Sequence, residues 1–90
     1  MRVWIECEVK PGVFSNERAA RVPHGVGFWV ALVPETSLRE RIERGPTAIE
    51  ALVLEVTNGV VHAALPGDSA TPGVWTGSVE QVIPRSAVAA

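Results

Sequence analysis

Cys7, His24 and His62 are the only thiol and imidazoles in this 90-residue chain, so nucleophilic or proton-transfer chemistry has few residues to draw on. A Cys/His nucleophile pair needs a thiol that is accessible and held in an electropositive setting. Cys7 lies in RVWIECEVK, residues 2–10, where Val3, Ile5, Cys7 and Val9 alternate with Arg2, Trp4, Glu6, Glu8 and Lys10. That period places Cys7 on the inward face of a strand, as a small core residue rather than a nucleophile. A metal site needs three or four converging ligands, and the chain has no Cys-x-x-Cys, no paired histidines and no His-Glu-x-x-His. Neither a metal nor another cofactor is expected. The glycines of Pro23-His24-Gly25-Val26-Gly27 are followed by no Lys-Ser/Thr and no helix start. They read as a turn into a strand, not as a phosphate loop. No catalytic residue is assigned, and the chain reads as a non-enzyme.

The most specific polar pair is Glu55 with His62, and it depends on a hairpin. The stretch 49–65 holds two apolar, β-branched runs separated by Asn58-Gly59. Both central residues of a type I′ turn need φ > 0, which makes this dipeptide the strongest short-range hairpin signal. A two-residue loop sets Thr57 opposite Val60, Val56 opposite Val61, Glu55 opposite His62, Leu54 opposite Ala63, Val53 opposite Ala64 and Leu52 opposite Leu65. One face is then wholly apolar (Leu52, Leu54, Val56, Val61, Ala63, Leu65) and is expected to be covered by the other strands. Glu55 and His62 fall on the mixed face, where a cross-strand pair contributes a fraction of a kcal/mol. The competing reading, a pH-sensitive contact at an interface, rests on the histidine alone.

The remaining elements follow the same patterning. Residues 2–10 form a half-buried strand with Trp4 as the misfit on its polar face, and Pro11-Gly12 ends it. Val13-Phe14 with Ser15-Asn16 reads as a loop carrying one aromatic anchor, and ERAARV, residues 17–22, as a weak second strand. VGFWVALV, residues 26–33, is apolar on both faces: Val26, Phe28, Val30 and Leu32 on one, Trp29, Ala31 and Val33 on the other. Such a strand is either covered on both sides or meets a partner with one of them. ETSLRERIER, residues 35–44, is the expected helix, with Ser37 and Glu40 at capping-box spacing and Gly45-Pro46 as the stop. Its pairs Glu35/Arg39, Arg39/Glu43 and Glu40/Arg44 have the i,i+4 spacing that adds a few tenths of a kcal/mol each. Residues 66–73 read as a loop. VWTGSVEQVI, residues 74–83, reads as a last strand bulged at Gly77, followed by a fraying tail.

These elements make an all-β fold with one short helix, a strongly bent sheet or small barrel of five to six strands forming one domain over 1–90. The ending Gln81-Val82-Ile83-Pro84-Arg85-Ser86-Ala87-Val88 resembles the last strand and 3₁₀ turn of SH3-like barrels. The Asn58-Gly59 hairpin would then stand at the distal hairpin of that fold. The tyrosine-rich opening and adjacent tryptophans of peptide-binding SH3 domains are absent. A helix between the third and fourth strands is similar to the OB-fold order, which gives the alternative barrel.

Ten acids against seven Arg and one Lys leave a formal charge of −2, which provides no overall field for nucleic acid or an anionic membrane. One Cys makes no internal disulfide, and no apolar run reaches a membrane span or opens the chain as a signal peptide. A cytoplasmic protein is expected. The functional signal left is aromatic. Trp4, Trp29 and Trp75 are the candidate binding residues, because aromatics are enriched where proteins touch. The sequence therefore reads as a non-enzymatic β-barrel module that binds a protein, most simply a second copy of itself as a homo-oligomer. The alternative is an OB- or SH3-like domain for single-stranded nucleic acid, with Arg2, Arg18, Arg21 and Arg85 joining Trp4 or Trp75. The acidic total and the single Lys weigh against it.

Overall fold

Alternating apolar side chains and two tight turns set the sheet. The computed structural model describes residues 1–11, 16–42, 47–66, 68–69 and 74–89. Within them lie β1 (Arg2–Pro11), β2 (Glu17–His24), β3 (Gly27–Pro34), β4 (Leu38–Arg39), β5 (Thr47–Thr57), β6 (Val60–Ala64), β7 (Asp68–Ser69), β8 (Trp75–Ser78) and β9 (Val82–Ile83). Six of these have four residues or more, which matches the expected strand count. All pair antiparallel in the order β7-β3-β2-β1-β5-β6-β8, with β4 added to β5 and β9 to β1. The sheet curls into a nearly closed all-β barrel.

β1 is shared by both halves of that barrel. Its residues 2–7 pair with β5, Glu8–Pro11 pair with β2, and Trp4 and Ile5 also pair with β9. The β2–β3 turn uses Gly25 at φ 62°, and the β5–β6 turn uses Asn58 at φ 52° and Gly59 at φ 78°. The second pair of values is what a type I′ turn demands. Closure falls on Pro23, whose carbonyl accepts the Trp75 indole N–H at 2.8 Å and the Gln81 side-chain amide at 3.2 Å. The Gln81 amide oxygen in turn accepts the Ser78 backbone N–H at 2.9 Å. One carbonyl thus ties β8 and the 3₁₀ turn Val79–Gln81 to the end of β2.

The core is mainly aliphatic. Ile5, Cys7, Val22, Trp29, Val33, Ile49, Val61 and Trp75 pack inside the barrel with Ala20, Ala31, Ala51 and Ala63. A second, smaller cluster lies apart from it, where Ala48, Ile83 and Val88 are packed by Trp4 and Ala87.

Four expectations change. The hairpin keeps the pairs Glu55–His62, Val56–Val61 and Thr57–Val60, but its register shifts between Val53 and Glu55, so that Val53 faces Ala63 and Leu52 faces Ala64. Leu54 is the extra residue of a bulge, and one extra residue reverses which side chains face the core. Val53 joins the core-facing set, whereas Leu52 and Leu54 turn outward and are exposed, so the wholly apolar face does not exist. The expected helix is a single 3₁₀ turn, Glu35–Ser37, followed by extended chain. An isolated helix of about three turns or fewer is marginal without packing. The extended path instead buries Leu38 opposite Ile49 and lets Glu40 and Ile42 bond to Ala89 and Ala87. With that helix goes the feature on which the OB-like order rested.

The tail does not fray: Arg85–Ala87 form a 3₁₀ turn, and Val88 is buried and bridged to Arg41. Finally, the last strand is broken by Val79–Gln81 into β8 and β9. Gly77 is there because the Trp75 ring and the Gln81 side-chain oxygen fill the space a Cβ would take. The aromatic anchor at Phe14, the ion partners Glu43 and Arg44, the Gly45-Pro46 stop and most of loop 66–73 lie outside the described residues.

Candidate functional site

The structure disperses the three tryptophans. Trp75 is fully enclosed, and its ring supports the closure just described. Trp29 retains 4% exposure; it packs inside β3 with the His24 ring 6.1 Å away, and no acceptor meets its indole N–H among the described residues. Only Trp4 keeps an accessible edge. The polar pair is also redistributed. Glu55 and His62 are opposite each other as the hairpin requires, but Glu55 accepts the Thr57 hydroxyl at 3.1 Å while His62 Nδ1 lies 3.2 Å from the Thr76 hydroxyl. Cys7 is buried in the barrel, and its thiol pKa is pushed up to about 12, first by loss of solvent and then by the neighbouring Glu6 charge. It is a core thiol, not an activated one. Among the described residues, no three His, Cys, Asp or Glu side chains converge as a metal ligand set. No helix there is long and apolar enough to cross a membrane.

Two surfaces stand out among the described residues, and the strand register builds both. Along β3 the core-facing residues are Trp29, Ala31 and Val33, so Phe28, Val30 and Leu32 must point outward. They are 40%, 37% and 38% exposed. Across the ladder on β2 stand Pro23, Arg21 and Ala19, and beyond Arg21 stands Glu8 of β1. The Arg21 guanidinium lies 4.1 Å from the centre of the Phe28 ring and 3.5 Å from the Glu8 carboxylate. The result is an apolar row bordered by one cation and one anion. β3 stands near the end of the sheet, where, among the described residues, Asp68 and Ser69 of β7 pair with Leu32 and Ala31.

The second surface is an open cleft of about 700 Å³ beside the smaller cluster. Trp4 and Val3 of β1, Val82 and Ile83 of β9, and Val88 of the tail supply its apolar wall. Arg2, Arg39 and Arg85 bring three guanidinium groups to it, against the single carboxylate of Glu50. Arg2 is paired with Glu50. Arg39 lies 5.6 Å from the centre of the Trp4 ring and donates to the carbonyls of Thr36 and Leu38, both at 2.8 Å. Arg85 is exposed, and its guanidinium makes no hydrogen bond or ion pair among the described residues.

Sequence patterning finds Trp4 as a misfit, Arg2 and Arg85 as cations that join it in the alternative nucleic-acid surface, and the apolar face Phe28/Val30/Leu32. It misses Arg39, which the helix expectation sends to solvent, and the tail wall at Val88. The pairing of 40–42 with 87–89 is long-range, and no local signal marks it. Searches against protein-family models, curated proteins and solved structures return no match to this chain.

Proposed function

We propose that this chain is a non-enzymatic β-barrel module whose outer β3 face docks onto a protein, in the simplest case a second copy of itself. The observation that carries the reading is the row Phe28, Val30 and Leu32, three neighbouring apolar side chains left more than a third exposed on one strand. A two-sided apolar strand needs cover on both sides, and the barrel supplies it on one. Self-pairing is favoured by the border of that row. In a two-fold arrangement each surface meets its own copy. Arg21 and Glu8 stand side by side on that border, so each copy offers the other both a cation and an anion beside its apolar row. Three side chains offer far less than the roughly 800 Å² per partner of a stable interface, so the association is expected to be weak and concentration-dependent.

The strand path also supports reading the barrel as SH3-like. Its closing β9 returns to β1, and the expected 3₁₀ turn follows at Arg85–Ala87. Sedimentation equilibrium over a wide concentration range tests the proposal. A monomer–dimer equilibrium that Leu32→Glu shifts to monomer is expected. A clean monomer at every concentration overturns the self-association, and a dimer indifferent to Leu32→Glu overturns the face.

A further inference from the structure

The Trp4 cleft is separate in its residues from the β3 face, and its chemistry points elsewhere. We infer that it binds a short peptide segment in which a carboxylate side chain stands next to an apolar one. The argument begins with the walls. Val82, Ile83 and Val88 with the accessible edge of Trp4 form an apolar recess. Three guanidinium groups reach its mouth, and each has a different status. Arg39 is fixed over Trp4 by two backbone carbonyls, so it shapes the wall more than it seeks a partner. Arg2 is neutralised by Glu50. Arg85 is left with its charge unmet among the described residues, directly beside the apolar wall.

A guanidinium fork matches a carboxylate in two parallel hydrogen bonds, and the Arg2–Glu50 ion pair already places one guanidinium–carboxylate contact at the rim. An apolar side chain in the recess and a carboxylate on Arg85 would together satisfy both parts of the surface. The volume falls within the ordinary range for ligand sites, but the cleft is open to solvent. It cannot enclose most of a small free ligand, whereas a peptide needs only a side chain or two seated while the rest of the chain stays at the surface.

A nucleic acid fits less well. One aromatic edge cannot stack successive bases, Glu50 stands within the cleft, and the whole chain is net negative.

Trp4 is itself the reporter, since Trp29 and Trp75 are enclosed. Tryptophan fluorescence would be titrated with hexapeptides alternating Asp or Glu with Leu, Val or Phe. Matched peptides carrying Asn and Gln, and a short oligothymidylate, serve as comparisons. The expected result is saturable change with acidic peptides only, lost in Trp4→Phe and weakened about tenfold or more in Arg85→Glu, with Arg85→Lys intermediate. Arg85 is exposed, so its variants should keep the wild-type circular dichroism and thermal midpoint. Equal binding of the amide peptides, binding of oligothymidylate alone, indifference to Arg85→Glu, or no binding by any acidic peptide overturns the inference. Dimerisation through β3 is read by a different measurement and stands or falls separately.

Discussion

Replacing Trp75 with Phe removes the indole N–H that Pro23 accepts and about three ring atoms from the middle of the core. The acceptor is not orphaned, because the Gln81 amide still donates to the same carbonyl. The lost hydrogen bond therefore costs near the ordinary value of about 1 kcal/mol. The missing ring atoms add about 2 kcal/mol at ~0.8 kcal/mol per buried carbon. A total of about 3 kcal/mol is a large share of the ~5–15 kcal/mol that holds a small domain together. It corresponds to a fall in thermal midpoint of roughly 12–24 °C at ~4–8 °C per kcal/mol.

The partner substitution is Gly77→Ala. Its new methyl would overlap the outer edge of the Trp75 six-membered ring and the Gln81 side-chain oxygen. Overpacking of that kind costs about 1–3 kcal/mol. The two changes meet at one spot, so they should not add: a Phe ring withdraws the atoms the methyl strikes, and the double variant should recover about 1 kcal/mol relative to the sum. Urea and thermal unfolding followed by far-ultraviolet circular dichroism provide all four corners of the cycle. A loss below about 1 kcal/mol for Trp75→Phe, or additivity within about 0.5 kcal/mol, would refute the placement of the ring over Gly77.

Four further outcomes are expected. The Cys7 thiol, raised from 9.0 to about 12, holds its proton more tightly folded than unfolded. The stability this confers is complete below pH 9 and is lost as the pH rises towards 12, so Cys7→Ala should flatten the alkaline decline seen in urea titrations. Native protein at neutral pH should also resist thiol-specific alkylation that proceeds readily in urea. Gly59→Ala, at φ 78°, should cost about 1 kcal/mol in the same unfolding assay, since an L side chain is strained there. Val88→Asp should lower the thermal midpoint clearly, because Val88 is buried against Ala48 and Ile83; a midpoint equal to wild type would mean that the tail is loose.

The strands were legible where one face repeats every second residue, as in Val3-Ile5-Cys7-Val9, and the turns where glycine or asparagine must adopt positive φ. The bulge at Leu54 was not. Val53, Leu54 and Val56 are all apolar, so either residue of the neighbouring pair can face inward without a visible break in pattern. Residues 35–44 read as a helix because their capping and charge spacing are local, whereas the burial of Leu38 against Ile49 is a tertiary gain that local spacing does not carry. Trp75, a candidate binding residue by its type, is instead fully enclosed. The signal of its burial is Gly77, two residues away on the same face of the strand, where only a missing side chain leaves room for an indole. Trp4 was recognisable as a residue on the wrong face, but the cleft around it depends on Arg39 and Val88, which reach it through pairings distant in sequence.

The central claim, that the outer face of β3 is where a second copy docks, is tested most directly by amide chemical shifts in a dilution series of ¹⁵N-labelled protein. The account predicts concentration-dependent shifts confined to Phe28, Val30, Leu32 and their β2 neighbours Ala19 and Arg21, abolished in Leu32→Glu. Spectra that do not change with concentration, or changes centred on the exposed Leu52 and Leu54 of the hairpin instead, would contradict it.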